Sequence, residues 1–300
     1  MPAASSAPAL EVLGLTRRFG DVTAVDDVSF VVEPGRLTGF IGGNGAGKTT
    51  TMRMIMGILA IHGGEVRWGG RPITRADRAT FGYMPEERGL YPKQQVLDQL
   101  AYLGQLRGMT RRDATAEATR MLEQFGLGDR LKDKLEALSL GNQQRVQVVA
   151  SLLHSPSALI LDEPFSGLDP VAVDSMVDLL RERTREGVPV LFSSHQLDLI
   201  DRICDSMIIL AGGKVRAAGT AEDLRAAGPR HYRITAGHDA GWVREEPGVD
   251  VVDVAGATAV VGFDDEPTRE RVVARAAERG LAEFTPIVPS LSEIYREAVR

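Results

Sequence analysis

The sequence predicts an α/β fold with a mainly parallel sheet, interrupted by a helical subdomain and followed by a small α+β domain. Three observations lead there. Over residues 10–228 short β-branched runs alternate with helical stretches; between 88 and about 156 the strand signals give way to helix formers; and after "AAGPR" a second set of strand and helix signals begins.

In the first region "VSFVV", "LTGFIG", "SALILD" and "VPVLFSS" read as strands, and residues 48–58 and 171–185 as helices. Within the insertion, "RRDATAEATRMLEQFG" is helix-rich, and residues 138–153, "LSLGNQQRVQVVASLL", read as a helix with a polar, glycine-containing start and an apolar body. In residues 229–300, "HYRITA", "VDVVDVAG" and "TAVVGF" read as strands and "EPTRERVVARAAERG" as an amphipathic helix. "SLSEIYREAV" reads as a last helix with a Ser290/Glu293 capping box. Residues 1–9 carry neither the charged nor the apolar region of a secretory signal and are expected to form a flexible tail.

Composition bounds the function. The chain has 300 residues, 43% hydrophobic and 25% charged, as expected of a globular protein with a sizeable core. A net charge of -6 argues against broad adhesion to nucleic acid or anionic lipid. The single cysteine, Cys204, supplies no disulfide framework and reads as a small buried apolar residue. No run approaches the roughly 18 to 20 apolar residues needed to cross a bilayer, so a membrane role requires a partner chain.

The sharpest chemical signal is "GGNGAGKT", which satisfies G-x-x-x-x-G-K-[ST] between a strand-like run and a helix. Gly42, Asn44, Gly45, Ala46 and Gly47 can curl their backbone N–H groups around one anion. Lys48 then reaches the β/γ-phosphates, and Thr49, with Thr50 behind it, offers a hydroxyl to Mg²⁺. The bland alternative is a Gly-rich turn with an incidental lysine. "ALILDEP" ends an apolar run in Asp162, at the sheet edge where ligands gather, as a candidate to hold Mg²⁺; Glu163 is suited to polarise an attacking water. Taken alone the two are also a pair of acids in a turn.

Phosphate loop, helical insertion, "LSLGNQQR", "LILDEP", "SGLD" and "SSH" in that order resemble the nucleotide-binding subunit of ABC transporters over residues 10–228. The end of the chain is similar to an accessory C-terminal domain of some export-type members. The resemblance implies a P-loop NTPase of the ABC type that hydrolyses ATP with Mg²⁺, with Lys48, Glu163 and His195 as catalytic residues. It implies a homodimer, or a heterodimer with a second ABC ATPase subunit, in which Ser139, Gly141 and Asn142 contact ATP held by the other subunit and Asp169 crosses the interface. Phe19 stacks on adenine, and Glu86 joins Thr49 and Asp162 near the metal. It further implies a separate transmembrane permease, contacted near residues 86–92 with Arg88 among them, export as the direction, and a place at the cytoplasmic face of the membrane through that permease.

Each of the smaller pieces has an ordinary structural alternative: an N-capped core helix for Ser139, a core ring for Phe19, a structural histidine for His195, a helix start for "GLDP", solvated charge for Glu86 and Glu87. The sequence also departs from the family pattern. Leu140 and Asn142 stand where L-S-G-G-Q has glycine and glutamine, Glu86 stands where glutamine is common, and phenylalanine at position 19 lacks a hydroxyl. A rival is a soluble ABC ATPase acting on nucleic acid or the ribosome, for which no interleaved basic and aromatic tract is visible. Another is a catalytically idle partner subunit, weakened by the presence of Lys48, Asp162, Glu163 and His195.

Overall fold

A computed structural model describes residues 7–87, 89–227, 230–288 and 290–299. It divides into two compact units between Ala221 and Glu222. The expected boundary at 228/229 and the contact assigned to Arg88 fall outside the described residues.

The first unit begins with β1 (Leu10–Phe19) and β2 (Val22–Val32), an antiparallel pair closed by Gly20 with φ +55°. The "VSFVV" run lies in β2. Val28, Phe30 and Val32 are buried while Ser29 and Val31 are exposed, the period-two pattern of a strand with one face on a core. β3 (Leu37–Ile41) is buried along its whole length and leads through the phosphate loop into α1 (Lys48–Ile55). The helix stops three residues short of the expected end. Gly57, at φ +71°, lets Ile58 N–H reach back to the Arg53 carbonyl at 2.9 Å and Gly57 N–H to that of Met54 at 3.0 Å, a Schellman closure.

After α1 come β4 (Gly63–Trp68), the short β5 (Arg71–Pro72), α2 (Arg75–Ala79) and β6 (Gly82–Met84). The insertion carries α3 (Val96–Leu106), α4 (Arg111–Gln124) and α5 (Leu140–Leu152), with no strand among its described residues beyond one isolated bridge, Gln95 to Lys134. The chain then returns to the sheet with β7 (Leu159–Leu161), α6 (Pro170–Arg185), β8 (Val190–Ser194), α7 (Leu197–Ile203), β9 (Ser206–Ala211) and β10 (Lys214–Thr220).

These strands form two sheets. The larger has the order β10-β9-β3-β8-β7-β6 and is parallel except for the β9–β10 hairpin. The expected parallel sheet is therefore present. Beside it stands an antiparallel sheet of order β2-β1-β4-β5, which claims "VSFVV" because tight connections join strands that run in opposite directions. One core packs side chains from both sheets and α1, with Phe30 tilted on Phe40 at 5.3 Å and Trp68 edge-on to Phe81 at 4.8 Å. Cys204 abuts β3, where a Cβ on Gly39 would come within 2.9 Å of its Sγ. Burial, then the neighbouring Asp205 charge, pushes its thiol pKa up, so it behaves as an inert apolar residue.

The second unit holds all but the first residue of α8 (Ala221–Ala227), then β11 (His231–Thr235), β12 (Val249–Ala255), β13 (Thr258–Phe263), α9 (Glu266–Glu278), β14 (Glu283–Ile287) and α10 (Leu291–Ala298). Its sheet runs β12-β13-β11-β14, every pair antiparallel. Ile234, Val261 and Val272 centre its core. Ser290 and Glu293 form the expected capping box: Glu293 N–H donates to Ser290 Oγ at 3.2 Å and Ser290 N–H to Glu293 Oε2 at 2.7 Å. β14 was not expected, since "EFTPI" contains a proline; an edge strand tolerates the missing N–H.

Candidate functional site

The phosphate loop is built by close backbone approach. A Cβ on Gly42 would lie 2.6 Å from the Leu210 carbonyl, and one on Gly47, at φ +105°, 2.6 Å from that of Ala24, so only glycine fits at either position. Lys48 is buried and its ammonium donates to the carbonyls of Gly42 at 2.6 Å and Gly43 at 3.3 Å, which holds the charge beneath the loop. A cleft of about 470 Å³ opens over the loop. Asn44, Gly45, Ala46, Gly47, Lys48, Thr49 and Thr50 line it, and Phe19, Glu86, Asp162 and Glu163 complete the wall. Gly42 supports the loop from behind. Ala24 also faces the cleft and was not anticipated: a small residue inside a strand carries no signal of its own.

Phe19 is 47% exposed, which rules out the core-ring alternative, and the Arg17 guanidinium lies 4.8 Å from its ring centre. The ring is thus a supported, open platform at the cleft rim.

Asp162 and Glu163 follow β7. Asp162 is 1% exposed; its Oδ1 accepts a 2.6 Å hydrogen bond from the Ser193 hydroxyl, while Oδ2 is buried without a partner. A buried carboxylate oxygen left open toward a phosphate-binding cleft fits a cation. Thr49 Oγ1 lies 3.5 Å from Glu86 Oε2, which brings a second carboxylate to the same place. Among the described residues no group of three or more His, Cys, Asp and Glu side chains forms a cage. That donor set suits Mg²⁺, which is held by one or two protein oxygens together with phosphate oxygens and water. Burial, then the Asp162 charge, also pushes up the pKa of the nearby Tyr83 hydroxyl, which keeps it protonated.

Glu163 sits at φ +51°, a left-handed conformation that costs a non-glycine residue roughly 1–2 kcal/mol. Its N–H donates to Ser193 Oγ at 2.8 Å, and its Oε2 lies 3.0 Å from His195 Nδ1. His195 lines an adjoining cleft of about 520 Å³ that it shares with Asn44, Glu86, Gln144, Glu163 and Ser166. Ser193 is a residue sequence reasoning missed; its signal was a pair of hydroxyls, Ser193 and Ser194, ending a fully buried strand.

Besides Gly42, four predicted ligands line neither cleft: Ser139, Gly141, Asn142 and Asp169. Ser139 caps α5, accepting from Asn142 N–H at 3.4 Å. Gly141 lies against the Gly167 carbonyl, 2.9 Å from where a Cβ would be. Leu140 lies at the helix start with no positive φ and is 60% exposed, so it replaces the family glycine without backbone strain. Asp169 caps α6 through Ala172 N–H at 2.8 Å and pairs with Arg145 at 3.3 Å.

Comparison with known proteins places this geometry. The family model described as ABC transporter matches residues 25–166, and that described as ATP-binding protein DrrA1-3-like, C-terminal domain, matches residues 219–299. The chain is 38% identical over 287 residues to the uncharacterized ABC transporter ATP-binding protein YhaQ of Bacillus subtilis, covering 95% of this chain and 96% of that one. It is 34% identical to the linearmycin resistance ATP-binding protein LnrL of the same organism, over 72% of this chain and 70% of that protein. It is 32% identical to the Nod factor export ATP-binding protein I of Ralstonia nicotianae, over 93% and 80%.

A solved ATP-binding subunit of an ABC transporter superposes with a TM-score of 0.67 at 34% identity, covering 73% of this chain and 92% of that one. An ATP-binding cassette in its ADP conformation superposes at 0.62 with 25% identity, over 72% and 92%. Full-length identity to a family member, joined to a P-loop fold that binds nucleotide, makes this chain a member of the ABC transporter ATP-binding proteins, the ATP-hydrolysing subunits of those transporters.

Proposed function

We propose that the chain powers an exporter: it pairs with a second ABC ATPase subunit, closes on two ATP molecules, and drives a separate membrane permease from the cytoplasmic face. The observation that carries this reading is the division of the site. The phosphate loop, Asp162, Glu163 and His195 meet around two adjoining clefts, whereas Ser139, Gly141 and Asn142 line neither. A hydroxyl-capped helix start is an anion site without a lysine of its own, and a second subunit arranged head to tail supplies its phosphate.

In the closed pair, Lys48 and the loop N–H groups hold the β/γ-phosphates and Phe19 stacks on the base. Glu163 accepts a proton from the attacking water while His195 holds the γ-phosphate side of the site. Thr49 and Asp162, with Glu86 at hand, would hold Mg²⁺, which when bound would offset phosphate charge. Ser139, Gly141 and Asn142 complete the site from across the interface, and Asp169 lies at the crossing.

Export is supported by relatives named for linearmycin resistance and Nod factor export. Permease docking is supported by a groove of about 340 Å³ beside the Glu86 loop, walled by Tyr83, Pro85, Leu90, Leu103 and Leu106. Among the described residues no helix is long and apolar enough to cross a membrane. The test is affinity purification of the tagged chain from detergent-solubilised membranes. A stoichiometric polytopic membrane protein is expected; recovery with ribosomal or other soluble partners alone would overturn the transporter assignment and leave the ATPase chemistry standing.

A further inference from the structure

Two glutamines of α5 reach the acidic loops of the site from the helical insertion. Gln144 and Gln147 are three residues apart on the helix, 6% and 4% exposed, and each aims its amide nitrogen at a pair of backbone carbonyls. Gln144 Nε2 donates to the Glu163 carbonyl at 2.9 Å and the Pro164 carbonyl at 3.2 Å. Gln147 Nε2 donates to the Pro85 carbonyl at 2.7 Å and is 3.4 Å from that of Glu87, on either side of Glu86. One helix therefore grips the two loops that bear the acidic side chains of the site.

The grip on Glu163 matters because its backbone is left-handed, at φ +51°. Such a conformation persists in a glutamate only where surrounding contacts over-determine it. Here the N–H is tied to Ser193 Oγ at 2.8 Å, and that hydroxyl has its own proton committed to Asp162 at 2.6 Å. On the other side the Glu163 carbonyl accepts from Ser166 N–H at 3.2 Å and from Gln144. Gln144 is the one side chain in this set that reaches the turn from the helical insertion.

We propose that Gln144 is a positioning residue for hydrolysis: its amide locks the Glu163 turn so that the carboxylate faces the γ-phosphate side of the cleft, and it ties that turn to the helix whose start contacts the second ATP. Without the amide, the peptide after Glu163 loses a partner and the turn relaxes toward the right-handed region, carrying the carboxylate away. Gln144 also lines the cleft of His195, but the phosphate loop and Phe19, on which nucleotide binding rests, line the other one and Gln144 does not. The inference rests on Glu163 acting as the base.

The test compares the full chain with Gln144→Met, which keeps length and burial but removes the donor, and with Gln144→Asn, whose amide falls short of both carbonyls and which serves if the methionine variant does not fold. The expected result is a fall in kcat of tenfold or more, with the Kd for a fluorescent ATP analogue within twofold of the parent. A Gln144 variant whose kcat stays within twofold, or whose kcat loss is matched by an equal loss of nucleotide affinity, overturns the positioning role. Glu163→Gln, measured alongside, separates the two claims: if it retains the parental kcat the base reading fails, and if it is inactive while the Gln144 variants are not, only the positioning role fails.

Discussion

His195 Nδ1 lies 3.0 Å from Glu163 Oε2, although the two residues are 32 positions apart and follow different strands of the parallel sheet. The pairing follows from register: β7 and β8 run side by side, with Leu161 opposite Phe192, so the residues just past their ends meet at one edge. The ring orients the carboxylate and is itself held toward the cleft. His195→Ala is expected to lower kcat by roughly 10²-fold, the lower end of what a positioned acid–base group contributes. Nucleotide affinity measured by fluorescence titration should change less than threefold. Parental kcat in that variant would show that the contact serves packing alone.

Asp169 is both a helix cap and a proposed interface residue, and two substitutions separate the roles. Asp169→Ala removes the 2.8 Å cap on Ala172 N–H and should cost about 1 kcal/mol of stability in urea unfolding. Asp169→Asn retains a capping oxygen and should stay within a few tenths of a kcal/mol of the parent. Its exposed pairing with Arg145 adds little. If Asp169 also works across the dimer, the asparagine variant keeps its stability and loses ATP hydrolysis.

Acid sensitivity should include a contribution from Asp77. A bidentate pairing with Arg71, both distances 2.7 Å, and hydrogen bonds from Thr74 hold its carboxyl well below the usual carboxylate range. The folded-state pKa is depressed, so the stabilisation is complete above the unfolded value of about 3.9 and is lost as pH falls through the folded one. The difference in unfolding midpoint between the parent and Asp77→Asn is expected to be constant above about pH 5 and to shrink as pH falls below about 4. A gap independent of pH would contradict this.

Local chemistry made the phosphate loop and the Asp162/Glu163 pair legible, because glycine spacing and an acid at a strand end act over a few residues. What stayed hidden depends on contacts between distant segments. β1 contains Gly14, Arg17 and Arg18 and pairs through several register shifts, so its alternation is broken in the sequence while its neighbours β2 and β4 hold it in place. Gly57 closed α1 early through a capping geometry that an apolar pattern running to Ile58 obscured. Ser193 closes an apolar run and Gln144 sits in the polar start of its helix, so neither stands out in the sequence. Only the fold brings them to the Glu163 turn, one from a strand and the other from the inserted helices.

The central claim is that Glu163 activates water for hydrolysis in a closed pair of subunits. Its most direct test is Glu163→Gln, which keeps the shape of the side chain and removes the proton acceptor. Steady-state ATPase activity would be read beside the oligomeric state by light scattering after gel filtration in ATP and Mg²⁺. A loss of turnover of roughly 10²-fold or more is expected, with ATP still bound and the variant accumulating as a dimer. Hydrolysis within twofold of the parent, or a variant that stays monomeric with ATP bound, would contradict it.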